Sequence, residues 1–159
     1  MEQAEDDAEA IRDCSIRLLA RREHSRLELQ RKLEARDFVR GHIGPVLDAL
    51  ESEGLLSDAR FAEMFSRTRL ENGQGPLKIR ADLQARGVSG EVIDHALELV
   101  DDSWLVHCRA AWQRRFGVAP PDRRAWSRQA RFLANRGFSA EHVRRVLDEV
   151  AEDDADMGS

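Results

Sequence analysis

The feature that most constrains this chain is a repeat. Residues 83–97 read LQARGVSGEVIDHAL, and fifty residues later, at 133–147, the chain reads LANRGFSAEHVRRVL. Sliding the sequence by fifty also aligns Leu33, Leu83 and Leu133, then Arg36, Arg86 and Arg136, then Ile43, Ile93 and Val143, and finally Leu47, Leu97 and Leu147. Self-similarity at a fixed period of this length marks an array of supersecondary units that share one packing plan.

The chemistry of each copy is that of helix, tight turn, helix. Gly87 and Gly137 follow helical runs and supply the positive φ that helix C-termini adopt, while Ser89 and Ser139 two residues later are placed to cap the next helix. Glu91 and Glu141 then fall in its first turn, where the helix dipole favours acids. In the first copy Asp37 replaces the glycine, a residue that tolerates the left-handed region, and Gly44-Pro45 predicts a following helix that begins late. The helix before each turn is predicted to start at a capping box of Ser25 and Glu28, at Pro76 after Gly75, and near Asp122 after Pro120-Pro121. A further amphipathic helix precedes each pair, over about residues 9–22, 58–71 and 104–116. In the second of these, Phe61, Met64, Phe65 and Thr68 have the spacing of a buried face.

The expectation is an all-α protein of three tandem three-helix repeats of about 50 residues, stacked into an elongated, curved array. The repeats are placed at 9–56, 57–102 and 103–150, between an acidic N-terminal tail, 1–8, and an acidic C-terminal tail, 151–159. The tails lack apolar periodicity and are expected to be disordered. They are also candidates to compete with nucleic acid for the rest of the chain. The net charge is −5, yet without residues 1–10 and 151–159, 25 bases face 21 acids, a charge of +4.

The bases are concentrated. Residues 109–136 carry Arg109, Arg114, Arg115, Arg123, Arg124, Arg128, Arg131 and Arg136 against the single acid Asp122, and Arg144 and Arg145 follow. Arginine without lysine favours bidentate pairing with phosphate or carboxylate over diffuse solvation. Trp112, Phe116, Trp126 and Phe132 are interleaved and are expected to pack a core. Helix, RGVS, helix is also the pattern of a DNA-reading helix-turn-helix, but the second copy would present Gly90, Glu91, Asp94 and His95 to the groove. Carboxylates facing phosphates oppose the counterion release that drives such binding. The five histidines are scattered, and Cys14 and Cys108 are isolated, so neither a catalytic constellation nor a metal or disulfide framework is expected, and no cofactor. No apolar run approaches membrane-spanning length and the N-terminus is acidic, which predicts a cytoplasmic protein.

The run GLLSDARFAEMFSRTRLENGQGPLKIRADLQARGVS, residues 54–89, resembles the central signature of the RecX regulators, bacterial modulators of the RecA recombinase. The likeness rests on Gly54, Asp58, Arg60, Phe61, Ala62, Arg67, Gly75, Ile79, Leu83 and Gly87, and REHSRLELQRKL at 22–33 is similar to the first-repeat motif of that family. Leu55 departs from it, where members often carry an aromatic. The resemblance implies a monomeric non-enzyme that binds the RecA filament on single-stranded DNA. It further implies restraint of ATP hydrolysis, strand exchange and coprotease activity, tempering recombination and the SOS response. The motif residues are read as mostly structural, with Arg60, Arg67 and Arg86 open as contacts or as partners of Asp58 and Glu63. Arg109, Arg114, Arg115, Arg123, Arg124, Arg128, Arg131, Arg144 and Arg145 are the candidate contacts to RecA or to DNA. A nucleic-acid-binding module acting without RecA is the alternative.

Overall fold

The computed structural model describes residues 2–100 and 103–158. Met1 and Ser159 of the two tails, and the expected boundary between the second and third repeats at residue 102, lie outside the described residues. Among these residues there are nine helices and no strand. They are α1 (Glu2–Arg21), α2 (Arg26–Ala35), α3 (Arg40–Ser52), α4 (Asp58–Glu71), α5 (Pro76–Ala85), α6 (Gly90–Val100), α7 (Trp104–Arg115), α8 (Arg123–Asn135) and α9 (Ala140–Met157).

Local chemistry places most of the helix ends. Ser25 and Glu28 form the reciprocal capping box at the start of α2. Asp122 accepts from the Ala125 N–H at 2.8 Å, and Ser139 from the His142 N–H at 3.2 Å. Asp37, Gly87 and Gly137 take φ of +69°, +79° and +101°, so one left-handed residue closes the same turn in all three copies. Two expectations fail locally. The third helix of the first repeat does not begin late: α3 starts at Arg40 and carries Pro45 inside it. Proline removes one backbone donor there, and burial of Ile43, Leu47 and Leu50 on a single stripe outweighs that loss. Along α4 the buried residues are Phe61, Ala62, Phe65, Ser66 and Leu70, while Thr68 is exposed.

The acidic ends are helical, against the expected disorder. Glu2 and Glu5 lie in the first turn of α1, where they complement the dipole, and Asp7 reaches the Nδ1 of His42 at 3.1 Å. At the other end α9 runs on to Met157 although every described residue after Val150 is exposed. It is linked to α7 by an ion pair described below.

The helices cluster into two compact units. The first comprises residues 1–64 and 83–96, the second 65–82 and 97–159, so the middle repeat is shared out between them. The first unit is built on Ile11, Cys14, Leu18, Leu29, Leu33, Ile43, Leu47, Leu50 and Leu56. Within it Ser25 Oγ donates to the Arg86 carbonyl at 2.8 Å, and a Cβ added to Gly87 would stand 2.8 Å from the Cβ of Leu27. In the second unit the Gly75 N–H donates to the Arg136 carbonyl at 2.7 Å and the Leu77 N–H to the Gly137 carbonyl at 3.0 Å. Residues 25 and 75, 27 and 77, 86 and 136, and 87 and 137 are fifty apart. The repeat therefore preserves a joint between successive copies as well as the helix-turn-helix itself.

His24 is buried in the first unit, with Nδ1 3.1 Å from the Arg22 carbonyl and Nε2 2.8 Å from the Lys32 ammonium. Lys32 can donate only to a neutral ring, so Nδ1 carries the proton. Burial, with the charges of Arg22 and Lys32, pushes the pKa of His24 below its ordinary 6.5, against the opposing effects of the Arg22 carbonyl and Glu28. A folded pKa below the unfolded value contributes stability at high pH that is lost as pH falls through 6.5 toward the folded value. The urea midpoint is expected to drop between about pH 8 and about pH 5, with a smaller drop in His24→Gln. Equal drops in the two proteins would remove His24 as the cause.

Candidate functional site

The second unit carries the arginine-rich segment. Its core holds Trp104, Cys108, Ala111 and Trp112 from α7, Ala125 and Leu133 from α8, and Val143, Val146, Leu147 and Val150 from α9. Trp112 donates from Nε1 to Gln129 Oε1 at 2.7 Å, and Gln129 Nε2 donates to the Val118 carbonyl at 3.2 Å. These bonds tie α7 and α8 to the loop between them. The tryptophans are thus core residues, with Trp126 half-buried. Burial pushes the Cys108 thiol up to about 12, so it is not a nucleophile at neutral pH.

With Ala125, Gln129 and Leu133 turned inward, the spacing of α8 turns Arg124, Arg128 and Arg131 to solvent. Successive members stand about 6 and about 4.5 Å apart along the helix axis. Arg115 and Phe116 at the end of α7 face them. Phe116 meets Phe132 edge-on at 5.4 Å, and the Arg115 guanidinium lies 5.4 Å from the first ring and 5.7 Å from the second. Between the helices lies a hollow of about 580 Å³ lined by Arg115, Phe116, Arg128, Arg131, Phe132 and Asn135. A second, of about 510 Å³, adjoins it toward Pro121 and Arg124, and a third, of about 260 Å³, reaches back to Asn72. Together they form a groove with guanidinium walls and a phenylalanine floor. Among the described residues, none of Arg114, Arg115, Arg124, Arg128 and Arg131 has a carboxylate within 4.0 Å.

The nine candidate arginines therefore divide. Arg115, Arg124, Arg128 and Arg131 line the groove, and Arg114 stands at its inner end. Arg123 is exposed at the start of α8, and Arg144 and Arg145 are exposed on α9. Arg109 is engaged already: its Nη2 lies 2.6 Å from Asp153 and its Nη1 3.5 Å from Glu149. That pair links the acidic end of α9 to α7, and Asp153 keeps the guanidinium firmly protonated. Arg136 belongs to the site as well, lining the inner hollow while its Nη2 donates to the Asn72 carbonyl at 2.6 Å. Sequence reading counts it in the arginine-rich run and aligns it with Arg36 and Arg86, but spacing alone does not place it in the groove.

The residues of the central signature have mainly structural surroundings. Phe61, Ala62, Ile79 and Leu83 are buried, Gly54 and Gly87 take positive φ, and Gly75 forms the joint described above. Asp58 accepts from the Arg26 N–H at 2.8 Å. Arg60 pairs with Glu23 at 2.9 Å and Arg86 with Glu28 at 3.8 Å, and Arg67 is exposed. Among the described residues no cluster of His, Cys, Asp and Glu suits a metal ion, and no helix is long and apolar enough to cross a membrane.

Three tandem three-helix units, with glycine or aspartate closing each turn and an arginine-lined groove on the last, define an all-helical repeat protein. Three family descriptions match in order: RecX, first three-helix domain, at residues 12–50; RecX, second three-helix domain, at 57–97; and RecX, third three-helix domain, at 101–147. The chain belongs to the RecX family. The regulatory protein RecX of Halorhodospira halophila is 50% identical over 155 residues, spanning 97% of this chain and 96% of that protein. That of Chromohalobacter salexigens is 50% identical over 136 residues, 86% and 90% of the two chains. The crystal structure of RecX from Lactobacillus salivarius superposes with a TM-score of 0.80 at 21% identity, covering 92% of this chain and 97% of that one.

Proposed function

We propose that this protein binds the RecA filament on single-stranded DNA and restrains its ATP hydrolysis, strand exchange and coprotease activity, so that recombination and the SOS response are tempered. Family membership supports the regulatory role. The observation that carries the contact is the groove of α7 and α8, where guanidinium groups not neutralised by the protein line a concave surface. Such a surface recognises the phosphates of DNA or the carboxylates of a protein. Glu91 and His95 are exposed on the first turns of α6, so the helix-turn-helix of the second repeat has the wrong charge to read DNA.

The direct test titrates the protein into RecA hydrolysing ATP on single-stranded DNA, with DNA binding measured in parallel without RecA. Inhibition at concentrations where the protein alone leaves DNA free supports the proposal. Inhibition that merely follows DNA occupancy supports instead a module acting without RecA.

Asp153 and Glu149 compete with any outside anion for Arg109. The double variant Glu149→Gln, Asp153→Asn is expected to bind single-stranded oligonucleotide more tightly. Its plot of log K against log salt should steepen by about 0.7, the equivalent of one further phosphate contact. An unchanged slope in fluorescence anisotropy would show that Arg109 stays out of the interface.

A further inference from the structure

We propose that Arg114, Arg115 and Arg136 form a site for one phosphate group, seated against the Asn72-Gly73 turn at the inner end of the groove. This rests on the reading of the groove as a contact surface and gives that surface a defined ligand position.

Gly73 follows α4 with φ +83° and is buried. At the point where its Cβ would stand, the Nη2 of Arg114 is 2.8 Å away and the Nη2 of Arg136 is 3.2 Å away. Any side chain at residue 73 would take the space these groups use. Arg115 lines the same hollow of about 260 Å³, with Phe132 as one wall. Three positive groups are thus gathered at one place. Like charges gathered in this way repel one another, more strongly near a protein surface than in bulk water.

What holds Arg136 there is neutral: Nη2 donates to the Asn72 carbonyl at 2.6 Å and Nε to the Gly73 carbonyl at 3.3 Å. Its ring-face contact with Phe132, 6.0 Å from the centroid, fixes the plane of the guanidinium further. Backbone carbonyls orient the charge without cancelling it. Among the described residues no carboxylate lies within 4.0 Å of any of the three.

The number of donors selects the ligand. A carboxylate presents two coplanar oxygens that suit one guanidinium fork, whereas phosphate oxygens, two in a phosphodiester and three or four in free phosphate, carry lone pairs directed around a tetrahedral phosphorus and can meet several forks at once. The inner hollow is small for a whole nucleotide. It opens past Arg115 and Phe132 into the hollow of about 580 Å³, which has room for a chain continuing from the bound phosphate. A phosphodiester of a single strand, running on past Arg131 and Arg128, meets these requirements.

The test uses the full chain. Melting temperature is measured in inorganic phosphate and in chloride at matched ionic strength, and affinity for an oligothymidylate by anisotropy across a salt series. The variants are Arg114→Gln, which removes an exposed group with no internal bond, and Arg17→Gln, exposed on α1, as control. Phosphate is expected to raise the wild-type melting temperature above that in chloride, and Arg114→Gln to lose most of that rise. The same variant should bind the oligonucleotide about 10-fold more weakly, with a salt slope shallower by about 0.7, while Arg17→Gln changes neither.

A rise that persists in Arg114→Gln, or no rise in the wild type, overturns the site. A rise lost in Arg114→Gln with unchanged oligonucleotide binding supports the anion site and assigns it to free phosphate. Displacement of the oligonucleotide by oligoglutamate as readily as by phosphate overturns the choice of phosphate over carboxylate. The phosphate measurement contains no RecA, so it stands or falls separately from the filament proposal.

Discussion

Gly75→Ala is expected to lower the stability of the protein by about 3 kcal/mol, a fall in melting temperature of about 6–12 °C for a chain of this size. A Cβ at residue 75 would lie 2.4 Å from both the carbonyl carbon and oxygen of Gly137 and 2.5 Å from the Phe138 nitrogen. These are backbone atoms, so no side-chain rotation relieves the overlap. The two segments must separate, and the hydrogen bonds from Gly75 to Arg136 and from Leu77 to Gly137 lengthen together. Overpacking costs about 1–3 kcal/mol and each weakened bond about 1 kcal/mol. Gly90→Ala is the matched control, because nothing lies within 4 Å of a Cβ there. It should be neutral or stabilising by up to about 1 kcal/mol, since alanine is the better helix former. Equal urea midpoints for the two variants would show that the joint yields without cost.

Reversing Arg124, Arg128 and Arg131 together to glutamate is expected to raise the concentration needed for half-inhibition of RecA ATP hydrolysis by about 100-fold or more. Each reversal replaces an attraction by a repulsion worth about 1 kcal/mol at an exposed site, and the product of three such factors is of that order. All three side chains are exposed on α8 and none is recorded in an ion pair with a described residue, so helicity and melting temperature should hold close to wild type. Undiminished inhibition by a folded triple variant would remove the groove from the interface. Reversal of Arg144 and Arg145, exposed on α9 outside the hollows, should cost far less.

Much of the secondary structure is legible because its causes lie within a few residues. Ser25 and Glu28 cap α2 from three residues apart, Pro76 opens α5, and Asp122 caps α8. Where the reading fails, a contact from elsewhere decides. Proline at residue 45 suggests a late start, yet the stripe of Ile43, Leu47 and Leu50 keeps α3 helical from Arg40. Acidic ends suggest disorder, yet Asp7 meets His42 thirty-five residues on, and Asp153 meets Arg109 forty-four residues back. The same limit applies to the site. A run rich in arginine marks the surface, but it cannot separate Arg109, bound to α9, from Arg115, Arg124, Arg128 and Arg131 in the groove. Nor does it show Arg136 reaching Asn72 across sixty-four residues.

The sequence by itself determined an all-helical chain in three copies, because capping, left-handed turns and apolar periodicity act over one or two helical turns and repeat every fifty residues. Tertiary structure decided which copies share a core, which backbone atoms touch at Gly75 and Gly137, and which guanidinium groups remain unneutralised. Those outcomes depend on distances between residues far apart along the chain, which burial and close packing set and local pattern does not contain.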